Sequence, residues 1–349
     1  MICIEPKKCL ANDFCACSIL FSGVESASAE GEVGVSVGQT AEYTYAISMT
    51  YRSRINGSLL ASVPYQVGYI EAITVQDISG TNITVQSVKT YMNDQTNETN
   101  LGWVDLSTGG GPASGYIILA DCNEGDLIYP NWEGGSQDLL YVYMINDTTL
   151  MKYDDTIMEV NHANLTTTMN NQTTSMNYYW EKETGLLIGY TLGSTLEQGN
   201  VTQTIYYNYQ RVGLPQVFQP LIDRADYPVT VDTSSAILGF AFNQSEKQIS
   251  LYVSDSTETS GFCDVTIPDD LLWGSFSLNL DGFPLVDDVD YTQTHNSTHY
   301  NFHITYSASV HMIEIVGSDA IPEFPSWIIL PTFMVATLAA AILYRKKLR

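Results

Sequence analysis

Trp327 to Tyr344 (WIILPTFMVATLAAAILY) is a run of 18 residues without a charge, and Arg345, Lys346, Lys347 and Arg349 follow it directly. No other feature limits the chain's topology as strongly. At 1.5 Å per residue a helix of this length covers about 27 Å, close to the roughly 30 Å of a bilayer's hydrocarbon core. Pro331 sits near the first turn, where its missing N–H costs little. The basic cluster places the C-terminus in the cytoplasm by the positive-inside rule, and Trp327 and Tyr344 suit the two interfaces. A buried core helix rarely runs so long without a charge and then ends in cations. The expectation is therefore one transmembrane helix (327–344) with a basic cytoplasmic tail (345–349).

The other end fits export. Lys7 and Lys8 precede the apolar run Phe14 to Val24, and Ala27-Ser28-Ala29 offers a small-x-small cleavage site, so residues 1–29 are expected to be a signal peptide. The whole chain carries 39 Asp+Glu against 14 Lys+Arg. Setting aside 1–29 and 322–349 removes four acids and six bases, leaving 35 and 8 between the ends. A surface this acidic repels phosphate backbones and excludes nucleic acid as a partner.

Between the ends the pattern is that of strands, and helical periodicity is faint. In Thr40 to Met49, Ala41, Tyr43, Tyr45, Ile47 and Met49 alternate with polar residues, as in a half-buried strand. Glu71–Ile78 and Ile83–Tyr91 flank a Ser79-Gly80-Thr81-Asn82 turn and predict a hairpin; Tyr178–Trp180 and Leu186–Leu192 predict another around Glu181–Gly185. Tyr116–Ala120, Leu139–Ile145 and Thr202–Tyr209 complete the expected strands of a large antiparallel β-domain over 30–215, curved or closed into a half-barrel to protect its edges. Leu214–Pro220 is bracketed by prolines, and 216–225 is expected to be a linker. Seven short strands follow: Val229–Val231, Ala236–Phe242, Ile249–Val253, Phe262–Ile267, Phe276–Leu280, His299–Tyr306 and His311–Val316. That density suggests an immunoglobulin-like β-sandwich over 226–318. Residues 319–326 form a proline-containing stalk. The fold class is thus all-β, with one C-terminal transmembrane helix.

Nine Asn-x-Ser/Thr sequons fall between the targeting segments, at Asn56, Asn82, Asn97, Asn146, Asn164, Asn171, Asn200, Asn243 and Asn296. This is about twice what chance placement gives, and they are candidate glycosylation sites on an exported surface. Of six cysteines, Cys3, Cys9, Cys15 and Cys17 lie in the signal segment. Cys122 and Cys263 sit in apolar strand-like contexts and read as two buried free thiols.

Catalytic and metal signatures are weak. His295, His299 and His303 are four apart, but the stretch alternates as a strand, which sets His299 and His303 about 13 Å apart, too far to share an ion. Asp281, Asp287, Asp288 and Asp290 suit a solvated loop, lacking the calcium-loop pattern. Asp154 and Asp155 point to opposite faces of a strand, unlike a glycosidase pair. Ser107–Pro112 (STGGGP) has no P-loop lysine and reads as a flexible turn. Tyr141, Tyr143, Tyr206, Tyr207 and Tyr209 pack a sheet or line a sugar- or lipid-binding surface. No cofactor or metal is implied.

Pro322, Glu323, Phe324 and Pro325, with Ser326-Trp327, the apolar span and Arg345-Lys346-Lys347, resemble the PEF-type C-terminal sorting and anchor segment of archaeal surface proteins. The resemblance covers about 28 residues. It implies a plasma-membrane protein facing outward, with the segment retained as an anchor or cut by an archaeosortase. The unit containing Gly261–Pro268 and Asp281–Pro284 is similar to the small β-sandwich that precedes such anchors. The hairpin Tyr179–Leu187 is similar to exported archaeal β-domains and to lipoprotein-carrier half-barrels. None of these passes on a catalytic residue. The leading expectation is a non-enzymatic, N-glycosylated cell-surface protein of structural role or binding a surface-layer or extracellular partner. A lipid- or hydrophobe-binding half-barrel stands as one alternative, and a secreted hydrolase using His162 as another.

Overall fold

The computed structural model describes residues 32–55, 59–93, 96–131, 144–153, 156–220, 227–254 and 260–321. These residues are all-β, without a helix. The span 327–344 and the motif Pro322–Pro325 lie outside the described residues, as do Asp154 and Asp155; among those described, no helix is long and apolar enough to cross a membrane.

Among the described residues nine strands build the large unit: β1 (Thr40–Ser53), β2 (Leu59–Ser79), β3 (Asn82–Tyr91), β4 (Asn97–Asp105), β5 (Asp147–Tyr153), β6 (Thr156–Met169), β7 (Gln172–Glu181), β8 (Leu187–Gln198) and β9 (Val201–Arg211). They pair antiparallel in the order β4-β3-β2-β1-β9-β8-β7-β6-β5. Both expected hairpins form: Ser79 pairs with Asn82 across Gly80, at φ 63°, and β7 returns as β8 after Gly185, at φ 71°.

The second unit contains β10 (Gln216–Phe218), β11 (Val229–Thr233), β12 (Ala236–Asn243), β13 (Gln248–Ser254), β14 (Gly261–Pro268), β15 (Leu272–Leu280), β16 (Phe283–Pro284), β17 (Tyr291–His295), β18 (His299–Tyr306) and β19 (Val310–Ala320). All seven strands expected in this region are present. One layer, β16-β15-β19-β13-β12, continues the large sheet through a Gly239–Gln66 pairing to β2; the other is a separate five-stranded sheet, β10-β11-β14-β18-β17. The two layers close on Ile249, Leu251, Val253, Ile313 and Ile315 from one side and Val229, Val231, Val265, Ile267 and Ile304 from the other. The arrangement is sandwich-like.

Three local expectations change, and a fourth, the strand Leu139–Ile145, lies mostly outside the described residues. Tyr116–Ala120 is not a strand but part of an irregular loop lying on the large sheet, with Ile117 and Ile118 fully buried. Its run of apolar residues does not alternate, so nothing in it selects a ladder. Its backbone is satisfied irregularly, Ile118 N donating to Gly185 O and Ala120 N to Glu32 O. Of Leu139–Ile145, Met144 makes one bridge to Leu127, and residues 139–143 lie outside the described set. Within the expected linker, Gln216–Phe218 is β10, and Leu214 packs with Val160 and Ile188. Asp319 and Ala320, expected as the start of the stalk, are the last residues of β19.

Candidate functional site: a tyrosine-lined groove

The register of the large sheet brings six tyrosines into one line. Tyr91, Tyr69, Tyr45, Tyr209, Tyr190 and Tyr178 are successive cross-strand partners on β3, β2, β1, β9, β8 and β7. Neighbouring rings stack along much of the line, Tyr45–Tyr69 at 4.7 Å and Tyr190–Tyr209 at 5.2 Å, and Tyr178 tilts against Tyr190 at 5.2 Å. Aromatic residues pair well across strands because neighbouring rings stand over the same face.

One row further along, Lys89, Glu71, Tyr43 and Arg211 are partners in the same way. Glu71 is a buried carboxylate at 1% exposure. It accepts hydrogen bonds from Tyr209 Oη at 2.9 Å, from Tyr116 Oη at 3.3 Å and from Ser87 Oγ, with Lys89 Nζ at 3.9 Å. Burial pushes the phenols of Tyr69, Tyr116 and Tyr209 above the ordinary tyrosine value, and the Glu71 charge adds to it. They remain protonated donors over the physiological range. Glu71 thereby ties the 106–131 loop, through Tyr116, to β2, β3 and β9.

That loop plugs one half of the face. Leu106, Ile117, Ile118, Ile128 and Tyr129 enter the core with Tyr43 and Trp180. The STGGGP segment is a turn packed closely on β4: a Cβ on Gly111, at φ 115°, would lie 2.1 Å from the Trp103 carbonyl oxygen. Asp105 anchors its start, accepting from Ser107 N at 2.9 Å and Thr81 Oγ1 at 2.8 Å.

Beside the plug an open groove of about 420 Å³ remains, lined by Tyr45, Tyr69, Lys89, Tyr116, Tyr190 and Tyr207 among others. Away from the plug the next row reads Ile47, Tyr207, Leu192, Met176 and Leu165, and all five are only half-buried. The groove therefore has a polar end, with phenol hydroxyls and Lys89, and an apolar continuation. Chemically it suits an amphipathic guest.

Of the tyrosines singled out from sequence, Tyr209 is core, Tyr207 lines the groove and Tyr206 is exposed; Tyr141 and Tyr143 lie outside the described residues. Missed were Tyr45, Tyr69, Tyr178, Tyr190, Glu71 and Lys89, which only strand register brings together. His162 stacks on Tyr179 at 4.7 Å, with Asp147 Oδ2 3.1 Å from Nδ1 and Asn177 Oδ1 3.4 Å from Nε2. These partners are a carboxylate and an amide, with no hydroxyl or thiol among them.

The other candidates are dispersed. His303 pairs with Asp264 at 2.5 Å and His295 with Asp269 at 3.7 Å. No three His, Cys, Asp or Glu side chains converge among the described residues. Cys122 and Cys263 are buried free thiols in separate cores. Asn82, Asn97, Asn146, Asn164, Asn171, Asn200, Asn243 and Asn296 are all exposed; Asn56 lies outside the described residues.

No protein-family model matches the chain, and no curated protein does. Among solved structures, that of MucB in complex with MucA(peri) aligns over 78% of this chain and 88% of that one, at 9% identity and a TM-score of 0.18. At that score the two chains do not share a demonstrable fold.

Proposed function

We propose that this chain is an exported, outward-facing surface protein of the archaeal PEF-anchored type, and that its large unit binds an amphipathic, lipid-like ligand. In this reading residues 1–29 are removed on export and 327–344 hold the protein in the membrane. An immunoglobulin-like sandwich then carries a half-barrel outward. Glycans on some of the exposed sequons and the acidic surface keep neighbouring copies apart. The observation that carries the binding role is the groove beside the plug, polar where Lys89 and the phenols meet and apolar along Ile47, Leu192 and Met176. Binding sites of this kind are mostly apolar clefts with a few convergent polar groups. The chain's own residues supply orientation at Lys89 and shelter for a tail; no bond-breaking group is required.

The test uses full-length protein in zwitterionic nanodiscs, with empty nanodiscs as the blank and a dansyl-labelled fatty acid as the probe. Binding above the blank, weakened at least about tenfold by Leu192→Glu, is the expected result, since a charge on the tail path must be desolvated. Equal signal from wild type, variant and blank would sink the binding role. Intact mass of protein taken from native membranes reads signal removal, tail processing and glycosylation together.

A further inference from the structure

The inner face of the large sheet is built in rows, each two residues further along the strands than the last. The tyrosine line is the first row, and Lys89 Nζ reaches over it to lie 4.9 Å from the centre of the Tyr69 ring. The second row, Ile47, Tyr207, Leu192, Met176 and Leu165, is the apolar continuation of the groove. The third row splits. On β1 and β9 it is still apolar, with Met49 opposite Ile205; on β8 and β7 it is Ser194 opposite Thr174. In the fourth row Tyr51 faces Gln203, and Leu196 stands between Gln203 and Gln172.

The fourth row is folded back onto the third. Tyr51 Oη donates to Met49 Sδ at 2.9 Å, and Gln203 Nε2 donates to the same sulfur at 3.5 Å. Gln172 Nε2 donates to Ser194 Oγ at 2.8 Å. The apolar lane therefore ends in hydroxyl and amide groups on both of its sides, as it begins at phenols and an ammonium. A methylene laid over these groups would take water from them and return no hydrogen bond. The pairing of β1 with β9 runs without a register shift from Tyr43 to Ser53, so no bulge turns a side chain out of this sequence of rows.

The spacing of the two polar ends sets a length. From Tyr45 to Tyr51 the strand advances roughly 20 Å. The tyrosine row and the polar end take up the outer parts, leaving the rows of Ile47 and Met49, roughly 13 Å between them. An extended hydrocarbon chain advances roughly 1.25 Å per carbon, given bonds of about 1.5 Å. The lane thus accommodates about ten carbons.

We propose that the groove selects its guest by tail length: it takes a medium-chain amphiphile of about ten carbons, with the head at Lys89 and the phenols and the tail end stopped by Ser194, Thr174, Tyr51 and Gln203. This rests on the lipid-like reading above and adds the class of lipid to it. A fully buried methylene strengthens binding about fourfold, and one in a half-open lane about twofold. Carbons beyond the polar end gain nothing, because they run over amides or return to water.

The test uses full-length protein in the same nanodiscs with the dansyl-labelled fatty acid bound. Straight-chain fatty acids of about six to about sixteen carbons displace it, their free concentrations corrected for uptake by empty nanodiscs. In wild type, affinity is expected to rise about twofold per carbon to about ten carbons and then stay level. Ser194→Val with Thr174→Val keeps strand-forming side chains and joins Leu192 to Leu196 through an apolar row. It should tighten the sixteen-carbon acid at least about fivefold and leave the ten-carbon acid unchanged. Ile205→Thr places a hydroxyl within the lane at similar volume. It should weaken the ten-carbon acid about fivefold and leave the six-carbon acid unchanged. Wild-type affinity that keeps rising to sixteen carbons, or one profile shared by all three proteins, overturns length selection and leaves the groove standing. A dansyl probe no brighter with protein than in empty nanodiscs, and displaced by no acid, overturns both.

Discussion

The two units bury their interiors in different ways. In the sandwich, Val229, Val231, Ile249, Leu251, Val253, Ile313 and Ile315 are all fully buried, and the facing layers close on aliphatic side chains. In the large unit the biggest buried residues carry polar tips, each aimed at a partner: Tyr43 Oη donates to Leu187 O at 2.7 Å, Trp180 Nε1 to Gly115 O at 2.8 Å, and Tyr209 Oη to Glu71. An aliphatic layer has no favourable way to end at water, so it must be covered completely. A tyrosine layer can end partway, because its apolar body faces the core and its hydroxyl faces solvent or a guest. The sandwich interior is therefore closed, and the half-covered tyrosine face is where binding is possible.

The largest expected effect tests the aliphatic side. Ile313→Ala should cost about 2–5 kcal/mol in denaturant unfolding, the usual range for a fully enclosed aliphatic residue. A loss below about 1 kcal/mol would mean that the layers are not closed on each other. Next is the tether of the plug. Glu71→Gln removes a charged acceptor shared by Tyr209, Tyr116 and Ser87, and should cost about 1–3 kcal/mol. Because Tyr116 is the loop's link to Glu71, limited proteolysis should then cut within residues 106–131 faster than in wild type. Unchanged cleavage would show that Ile117 and Ile118 hold the loop without the carboxylate.

How much of this was legible follows from what period-2 patterning encodes. It reports which residues share a face along one strand, so Tyr43 and Tyr45 on β1, and all seven sandwich strands, were readable. It does not report which strand lies beside which, so the alignment of Tyr45 with Tyr69 and Tyr209 was not. Glu71 was legible only as the first residue of a strand; its burial depends on a loop placed over it by Tyr116. Thr44, on the polar face of β1, is buried for a similar reason. The chain after β9 turns back across that face, and Tyr65 Oη meets Gln216 Oε1 at 3.2 Å. Strands β4 and β17 carry few apolar residues, and β10 and β16 are too short to show a period. The apolar run Tyr116–Ala120 is the converse case, since hydrophobicity marked burial but could not fix geometry.

Smaller effects separate groove from core. Leu192→Ala should cost no more than about 1 kcal/mol, because half of the side chain's environment is already solvent. The same change should weaken binding of the dansyl probe several-fold. A core-sized loss of stability would mean that the row beyond the tyrosines is covered in solution.

The smallest effect lies at the far edge of the sandwich. Asp281 accepts from Met312 N at 2.8 Å and from His311 Nδ1 at 2.7 Å, and these bonds, the backbone one first, hold its carboxyl below the usual range. A carboxyl whose value is lowered on folding adds stability above its unfolded value, and that contribution is lost as pH falls through the folded one. The group is largely exposed, so Asp281→Asn should cost no more than about 0.5 kcal/mol at neutral pH. The gap between wild type and variant should hold constant down to about pH 4, the unfolded carboxyl value, and shrink below it. A gap that instead widened in acid would mean that the carboxyl is held above its ordinary value, and that the Met312 and His311 contacts do not persist in solution.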